Sequence, residues 1–258
     1  MDLLALSGAG PGLVIYAFAV AVLAGLVKGL VGFAMPMVLI SGLGSVVSPD
    51  LALAWLILPT LVSNGWQALR QGIGAAFESL RKFRVFLLAG LAFLALSSQL
   101  VMVLPGPVLL LVIGAPMTLF AAATLAGRPL RLPPRPGPGL EAGIGAVAGF
   151  FGGLSGVWGP PTVALLTAMD TEKTEQIRVQ GVIYGMGAVA LTMAHIASGV
   201  LDAATAPVSA LLVLPAAIGL RVGFAVQDRI DQRTFRKLTL VVLLCAGLNL
   251  VRRGLVGL

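Results

Sequence analysis

The chain has 258 residues, of which 58% are hydrophobic and 10% are charged, and its mean hydropathy is +1.02. Because a soluble protein needs a more polar surface, this composition indicates a polytopic α-helical membrane protein. The formal net charge of +7 does not indicate nucleic-acid binding, since the basic residues lie in short clusters between apolar runs, where they set membrane topology.

Eight apolar segments follow one another along the chain, and each is long enough or nearly so to cross a hydrocarbon core of ~30 Å. They cover residues 12–47, 51–69, 84–104, 107–127, 141–169, 176–198, 207–227 and 235–251. The start, Met1-Asp2-Leu3, has no basic residue ahead of the first segment, so we do not expect a cleaved signal peptide. We predict a multi-pass membrane protein.

The first and fifth segments share one motif. Gly25-x-x-x-Gly29-Leu30-x-Gly32-x-x-x-Pro36 returns as Gly149-x-x-x-Gly153-Leu154-x-Gly156-x-x-x-Pro160, and Gly72 and Gly127 likewise match Gly199 and Gly254. Close glycines and a proline break a helix, which hydrocarbon tolerates only inside protein or at a polar cavity. We predict two repeats, residues 1–127 and 140–258, joined by a Pro- and Arg-rich cytoplasmic linker at 128–139.

The basic residues occupy different loops in the two repeats. In the first repeat they follow the second segment (Arg70, Arg81, Lys82, Arg84), and in the second they follow the third segment (Arg229, Arg233, Arg236, Lys237). If basic loops are cytoplasmic, the repeats have opposite orientations, and each has an odd number of crossings. We therefore predict that the broken first segment of each repeat is a re-entrant helical hairpin. Eight plain spans are the alternative.

Lys28 lies at the first break. Because an ammonium in the membrane interior costs at least ~2.5–3.5 kcal/mol, it needs a partner, a cavity or a ligand. The helices that start near Pro36 and Pro160 would direct their partly positive N-termini at the same region. These features indicate a small-anion site between the two broken hairpins. The alternative is that Lys28 reaches a membrane interface along a short hairpin arm.

Other polar residues in the apolar segments extend this predicted site. Asn64 and Gln67 are three residues apart, and Gln180 and Tyr184 are four apart, so each pair shares one helix face. A role in helix packing is the alternative for each residue taken singly. The predicted substrate-binding set is Lys28, Gly29, Gly32, Pro36, Asn64, Gln67, Gly153, Ser155, Gly156, Trp158, Pro160, Gln180 and Tyr184.

Sequence patterns for catalysis are absent. The chain has no Walker A sequence, no His-Glu-x-x-His and no Gly-x-Ser-x-Gly. Cys245 is the only cysteine and His195 the only histidine. We predict no enzyme activity, no catalytic residue, no metal and no cofactor.

The two motifs at 25–36 and 149–161, together with the loop at 228–238, resemble the TauE/SafE sulfite exporter family over almost the whole chain. The resemblance implies a transporter of the bacterial inner membrane that exports sulfite or an organosulfonate such as sulfoacetate. The residues and the resemblance agree on a small anionic substrate, and the resemblance supplies the sulfur. Together with the composition and charge pattern above, the predicted partners are this substrate and the lipid bilayer, with a homo-oligomer as an option and no nucleic acid. Uptake of such an anion, carboxylate transport and a non-transport accessory subunit are the alternatives.

Overall fold

A computed structural model describes residues 11–98, 106–129, 132–133, 137–155 and 159–256. Within these ranges the chain forms eleven α-helices and no strand. They are α1 (Pro11–Val31), α2 (Met35–Leu43), α3 (Pro49–Leu69), α4 (Ile73–Lys82), α5 (Arg84–Ser98), α6 (Gly106–Leu125), α7 (Pro138–Ser155), α8 (Gly159–Ala168), α9 (Lys173–Ala197), α10 (Ala206–Arg229) and α11 (Gln232–Val256).

Four of the described helices are long and apolar enough to cross a membrane: Gly12–Val31, Lys173–Ala197, Ala206–Arg229 and Gln232–Val256. The all-α membrane class is therefore confirmed. The predicted third segment, 84–104, continues past the end of α5 into residues outside the described ranges. The opposite orientation of the repeats, the re-entrant course of the hairpins and the division at 128–139 stay predictions.

Two stretches predicted to be irregular are partly helical. The basic loop after the second segment contains α4, because Ala75 and Ala76 favour a helix and its two basic residues, Arg81 and Lys82, lie in the last turn. The predicted linker ends early, because α7 begins at Pro138. A proline is tolerated in the first helical turn, where its missing N–H has no intrahelical partner to lose.

Two compact units make up the chain, and each combines segments of both predicted repeats. The first unit holds the chain up to Ile73 together with Ile177–Asp231. It contains α1, α2, α3, α10 and most of α9. The second unit holds Gly74–Gln176 and the chain from Gln232 onward, with most of α4, all of α5 to α8, and α11.

In the first unit, α1 packs on α10 through glycine. A Cβ atom on Gly25 would lie 2.0 Å from the Ala216 carbonyl oxygen, and one on Gly29 would lie 2.4 Å from that of Leu220. Small residues allow such close approach of helix backbones in membranes. A buried apolar cluster that includes Trp55 extends this packing over α1, α2, α3 and α10.

In the second unit, α7 packs on α5 in the same way. A Cβ atom on Gly149 would lie 1.9 Å from the Gly90 carbonyl oxygen, and one on Gly145 would lie 2.4 Å from that of Phe86. Gly149 is the residue that matches Gly25 in the repeated motif. In each unit, therefore, the first segment of one repeat packs on the third segment of the other repeat.

The ends of α3 and α9 have the same geometry at positions that match in the two predicted repeats. Gly72 and Gly199 have φ angles of +91° and +75°. Each donates its N–H to the carbonyl three residues earlier, that of Leu69 at 2.9 Å and that of Ile196 at 3.2 Å. The matched glycines thus end the second segment of both repeats with one turn geometry. Gly254, the match of Gly127, instead lies inside α11.

Candidate functional site

The break after α1 is a tight turn with a left-handed backbone. Gly32 has φ +86° and Ala34 has φ +75°, and the Gly32 N–H donates to the Lys28 carbonyl at 2.7 Å. Glycine adopts such a φ without steric cost, which explains its place at this position. Pro36 then lies in the first turn of α2, where its fixed φ favours the new helix.

The chain folds back at this break. The Tyr16 hydroxyl, near the start of α1, donates to the Gly42 carbonyl at 3.1 Å near the end of α2. A Cβ atom on Gly42 would lie 2.5 Å from the Val20 side chain. The two helices therefore form a helical hairpin. Its second arm has nine residues, which at 1.5 Å per residue is too short to cross ~30 Å of hydrocarbon.

The Lys28 side chain is buried beside this turn. Only 1% of its surface is exposed. Its ammonium donates a hydrogen bond to the Asn64 side-chain oxygen and lies 5.9 Å from the centroid of the Tyr184 ring. Among the described residues, no carboxylate lies within salt-bridge distance of Lys28. The alternative in which Lys28 reaches a membrane interface does not fit this burial.

Asn64 and Gln67 of α3 link the turn to α9. The Asn64 amide nitrogen donates to the Tyr184 carbonyl at 3.3 Å. The Gln67 amide nitrogen donates to the Gly32 carbonyl at 3.0 Å and to the Ile177 carbonyl at 2.6 Å. The Gln67 amide oxygen is buried and has no hydrogen-bond partner in the described part of the chain. This oxygen is an unused acceptor, and leaving it so has a desolvation cost.

Gln180 of α9 completes the contacts to the broken end of α1. With its amide assigned so that the nitrogen faces the turn, it donates to the carbonyls of Val31 at 3.2 Å and Gly32 at 3.3 Å. A Cβ atom on Gly32 would lie 1.7 Å from the Gln180 side chain. Any side chain at position 32 would therefore displace Gln180. The two glutamine side chains supply donors to carbonyls that the end of α1 leaves unpaired.

Six of the predicted site residues thus form one buried polar group, which we call the Lys28 cluster: Lys28, Gly32, Asn64, Gln67, Gln180 and Tyr184. Gly29 does not belong to it, since this glycine faces the backbone of α10. Pro36 lies nearby: the hydroxyl of Ser63, the residue before Asn64, donates to the sulfur of Met35 at 3.2 Å. The first turn of α2 therefore lies next to the cluster.

The residues predicted from the second motif are less fully described. Gly153 and Ser155 lie in the last turns of α7, and Pro160 lies in the first turn of α8. Gly156 and Trp158 fall outside the described residues. The predicted pairing of the two breaks around one substrate therefore stays a prediction.

Sequence reasoning missed Gly181. A Cβ atom there would lie 2.5 Å from the Ala68 backbone nitrogen. This close approach of α3 and α9 brings the Gln67 side chain within hydrogen-bond distance of the α9 backbone. The signal was available in the sequence, since a small residue directly follows a polar residue inside an apolar segment.

Arg70 was predicted only as a topology determinant, but it makes specific contacts at the end of α3. Its guanidinium donates to the Gln227 side-chain oxygen at 2.9 Å and to the Asp228 carboxylate. It also lies 4.2 Å from the centroid of the Phe224 ring, which packs edge-on against Trp66. The charge is therefore held by α10 within the first unit.

Four long apolar helices in the described ranges, with a polar cluster buried beside the break after α1, define a helical integral membrane protein. A family model described as Sulfite exporter TauE/SafE matches residues 17–250. The chain belongs to this family, as the sequence motifs predicted. Membership identifies a membrane transporter of sulfur anions in general, not an enzyme. Searches of curated proteins and of solved structures gave no match.

Proposed function

We propose that this protein exports a small sulfur-containing anion, sulfite or an organosulfonate such as sulfoacetate, and that the anion binds at the Lys28 cluster. The observation that carries the proposal is the buried Lys28 ammonium, which has no carboxylate partner among the described residues. The outward direction follows the description of the family as exporters.

The bonding of Lys28 supports an anionic ligand. An ammonium has three N–H donors, and within the described part of the chain Lys28 contacts one amide oxygen and one aromatic ring. An amide hydrogen bond and a cation–π contact, at about 1–2 kcal/mol each, together only about match the ~2.5–3.5 kcal/mol that the charge costs in the membrane, and neither contact neutralises it. A sulfite or sulfonate oxygen would supply the missing negative charge through a charge-assisted hydrogen bond.

The start of α2 supports the same conclusion. Its N-cap residue, Ala34, has no side chain that can accept from the first backbone N–H groups, and Pro36 follows in the first turn. Free N–H groups and the helix dipole favour an anion at this end. Ser63 and Asn64 contact Met35 and Lys28, respectively. The helix N-terminus and the ammonium therefore lie beside adjacent residues of α3.

Flux measurements with the purified protein in liposomes test the proposal. We expect counterflow of radiolabelled sulfite in liposomes that contain this protein alone, with stronger competition from sulfoacetate than from acetate. Imposing a gradient in each direction across oriented protein tests export against uptake. No flux would indicate an accessory subunit. Equal competition by acetate would overturn the choice of a sulfur anion.

Substitution at Lys28 tests the site. Lys28→Met retains most of the side-chain volume and removes the charge, so the apparent affinity for sulfite should weaken about tenfold, the equivalent of ~1.4 kcal/mol. Lys28→Arg should keep part of the affinity, because it keeps the charge but changes its geometry. The matched control is Lys237→Met, since Lys237 is exposed at the start of α11. Unchanged affinity in well-folded Lys28→Met would exclude Lys28 from the site.

A further inference from the structure

The short helix α4 has an exposed apolar face. Ile73, Phe77 and Leu80 are 77%, 71% and 38% exposed, and their spacing of four and three residues places them on one stripe. Ser79 and Phe83, which lie away from this stripe, are only 2% and 3% exposed. One face of the helix is therefore packed, and the apolar stripe is left uncovered by the described residues.

Basic side chains border this stripe. Arg81 follows Phe77 by four residues, so it lies on the same side of the helix. Arg84 is the first residue of α5, two positions after the end of α4. Both are exposed, and neither forms an ion pair with a described residue. Lys82 differs, because its ammonium is paired with Glu175. The two arginines thus offer free guanidinium groups next to apolar surface.

The chain holds α4 close to the bilayer at both ends. Only residues 70–72 separate it from α3, and only Phe83 separates it from α5. Three extended residues reach about 10 Å, so α4 cannot move far from the ends of these apolar helices. Its ten residues span about 15 Å, half of the hydrocarbon thickness. A helix that can neither leave the bilayer surface nor cross the membrane has to lie along it.

We propose that α4 is an interfacial helix that binds anionic phospholipid. Ile73, Phe77 and Leu80 insert at the boundary between head groups and acyl chains, as amphipathic helices with one apolar face do. Arg81 and Arg84 donate bidentate hydrogen bonds to lipid phosphates, for which the planar guanidinium is well suited. This inference rests on the membrane class of the protein and is independent of the substrate.

The competing occupant of the stripe is a second copy of the chain or another protein. The charge favours lipid, because the free groups beside the stripe are cationic and the membrane surface that they would meet is anionic. A second copy would bring arginines against arginines if the same faces met. The experiment therefore has to separate lipid contact from coverage by protein.

The test uses the full-length protein in nanodiscs that hold one copy each. In a Cys245→Ser background, nitroxide labels are placed singly at Phe77→Cys and at Glu78→Cys, its exposed neighbour off the stripe. Collision with oxygen reports contact with acyl chains, and collision with a water-soluble nickel chelate reports contact with water. We expect the label at 77 to favour oxygen and the label at 78 to favour nickel.

The lipid headgroup is tested by titrating phosphatidylglycerol into phosphatidylcholine discs. The oxygen preference of the label at 77 should rise with the phosphatidylglycerol fraction. Arg81→Gln with Arg84→Gln should raise the fraction needed for half of this change roughly fivefold or more, since each basic residue near an anionic surface contributes about that factor. Equal melting temperatures in detergent for the double variant and for the labelled protein that keeps both arginines would show that the substitutions leave the fold intact.

Three results would contradict the proposal. Equal nickel access at 77 and 78 would show that the stripe faces water. Protection of position 77 from both reagents in discs with two copies, together with nickel access in discs with one, would assign the stripe to a second copy. An unchanged phosphatidylglycerol dependence in the double variant would refute the role of the arginines.

Discussion

A single methyl group at Gly149 is expected to push α7 away from α5. In Gly149→Ala the new Cβ atom would lie 1.9 Å from the Gly90 carbonyl oxygen, whereas ordinary contact requires roughly 3.4 Å. Because backbone faces backbone, no side chain can rotate to make room. One of the two helices has to shift by about 1.5 Å, and overpacking of this kind costs about 1–3 kcal/mol.

The same helix supplies the control. Gly143 also lies in α7, and a Cβ atom there would meet nothing within 4 Å. Gly143→Ala should therefore be neutral or stabilising by up to ~1 kcal/mol, since alanine favours the helix over glycine. That helix preference acts equally at both sites and cancels in the comparison. The expected difference between the two variants is the steric cost alone, about 1–3 kcal/mol.

Thermal unfolding in detergent, followed by loss of the monodisperse peak in size-exclusion chromatography, measures this difference. For a chain of this size, each kcal/mol corresponds to about 2–4 °C. Gly149→Ala should therefore melt several degrees below Gly143→Ala. Equal melting temperatures for the two variants would refute the argument, because they would show that α5 and α7 do not approach each other as closely as the Gly149 contact requires.

Two further predictions concern topology and pH. In a Cys245→Ser background, Ala203→Cys, next to Asp202, should react with a membrane-impermeant thiol reagent added outside intact cells, and Arg81→Cys only after permeabilisation; the reverse pattern would contradict the inverted orientation of the repeats. The Asp202 carboxylate accepts hydrogen bonds from the N–H groups of Thr205 at 2.8 Å and Ala204 at 2.9 Å and from the Thr205 hydroxyl, and these bonds lower its pKa below the usual 3.8. The charged form therefore stabilises the fold above about pH 4 and loses this effect as the pH falls through the lowered pKa. Asp202→Asn should lower the melting temperature at about pH 7, and this difference should shrink as the pH falls below about 4; a difference independent of pH would contradict this role.

Sequence reasoning located most of the polar cluster. Lys28, Asn64, Gln67, Gln180 and Tyr184 were predicted because they lie in apolar segments. Polar groups in such segments need partners, and a common interior is where they can find them. The charge of Lys28 indicated that it needs polar partners, and the helical spacing of Asn64 with Gln67 and of Gln180 with Tyr184 indicated that each pair lies on one helix face, without any knowledge of the packing.

The partners themselves could not be predicted. Gln67 and Gln180 bond to backbone carbonyls at the end of α1. Such acceptors exist in every residue, and which ones are free depends on where a helix breaks and how its neighbours are rotated. The helix α4 was missed for a related reason. Its charged end suggested a loop, and its apolar stripe extends over only about two helical turns, which is too short to show a clear helical period. Local pattern gives residue type and spacing but not the rotation of one helix against another.

In each unit the first segment of one predicted repeat packs on the third segment of the other, and this arrangement affects how the protein assembles during synthesis. α1 leaves the ribosome before α10, its glycine-lined partner, and roughly 175 residues separate the end of one from the start of the other. Synthesis adds ~5–20 residues per second, so the glycine face of α1 stays exposed to lipid for on the order of ten to thirty seconds before α10 is made. The delay is much shorter for α5 and α7, because only α6 and its flanking residues are made between them. Assembly of the second unit therefore begins during synthesis, whereas the Lys28 cluster forms only when α9 is made and the glycine face of α1 is covered only when α10 is made. A chain that ended after α6 would leave both Lys28 and this glycine face without their partners.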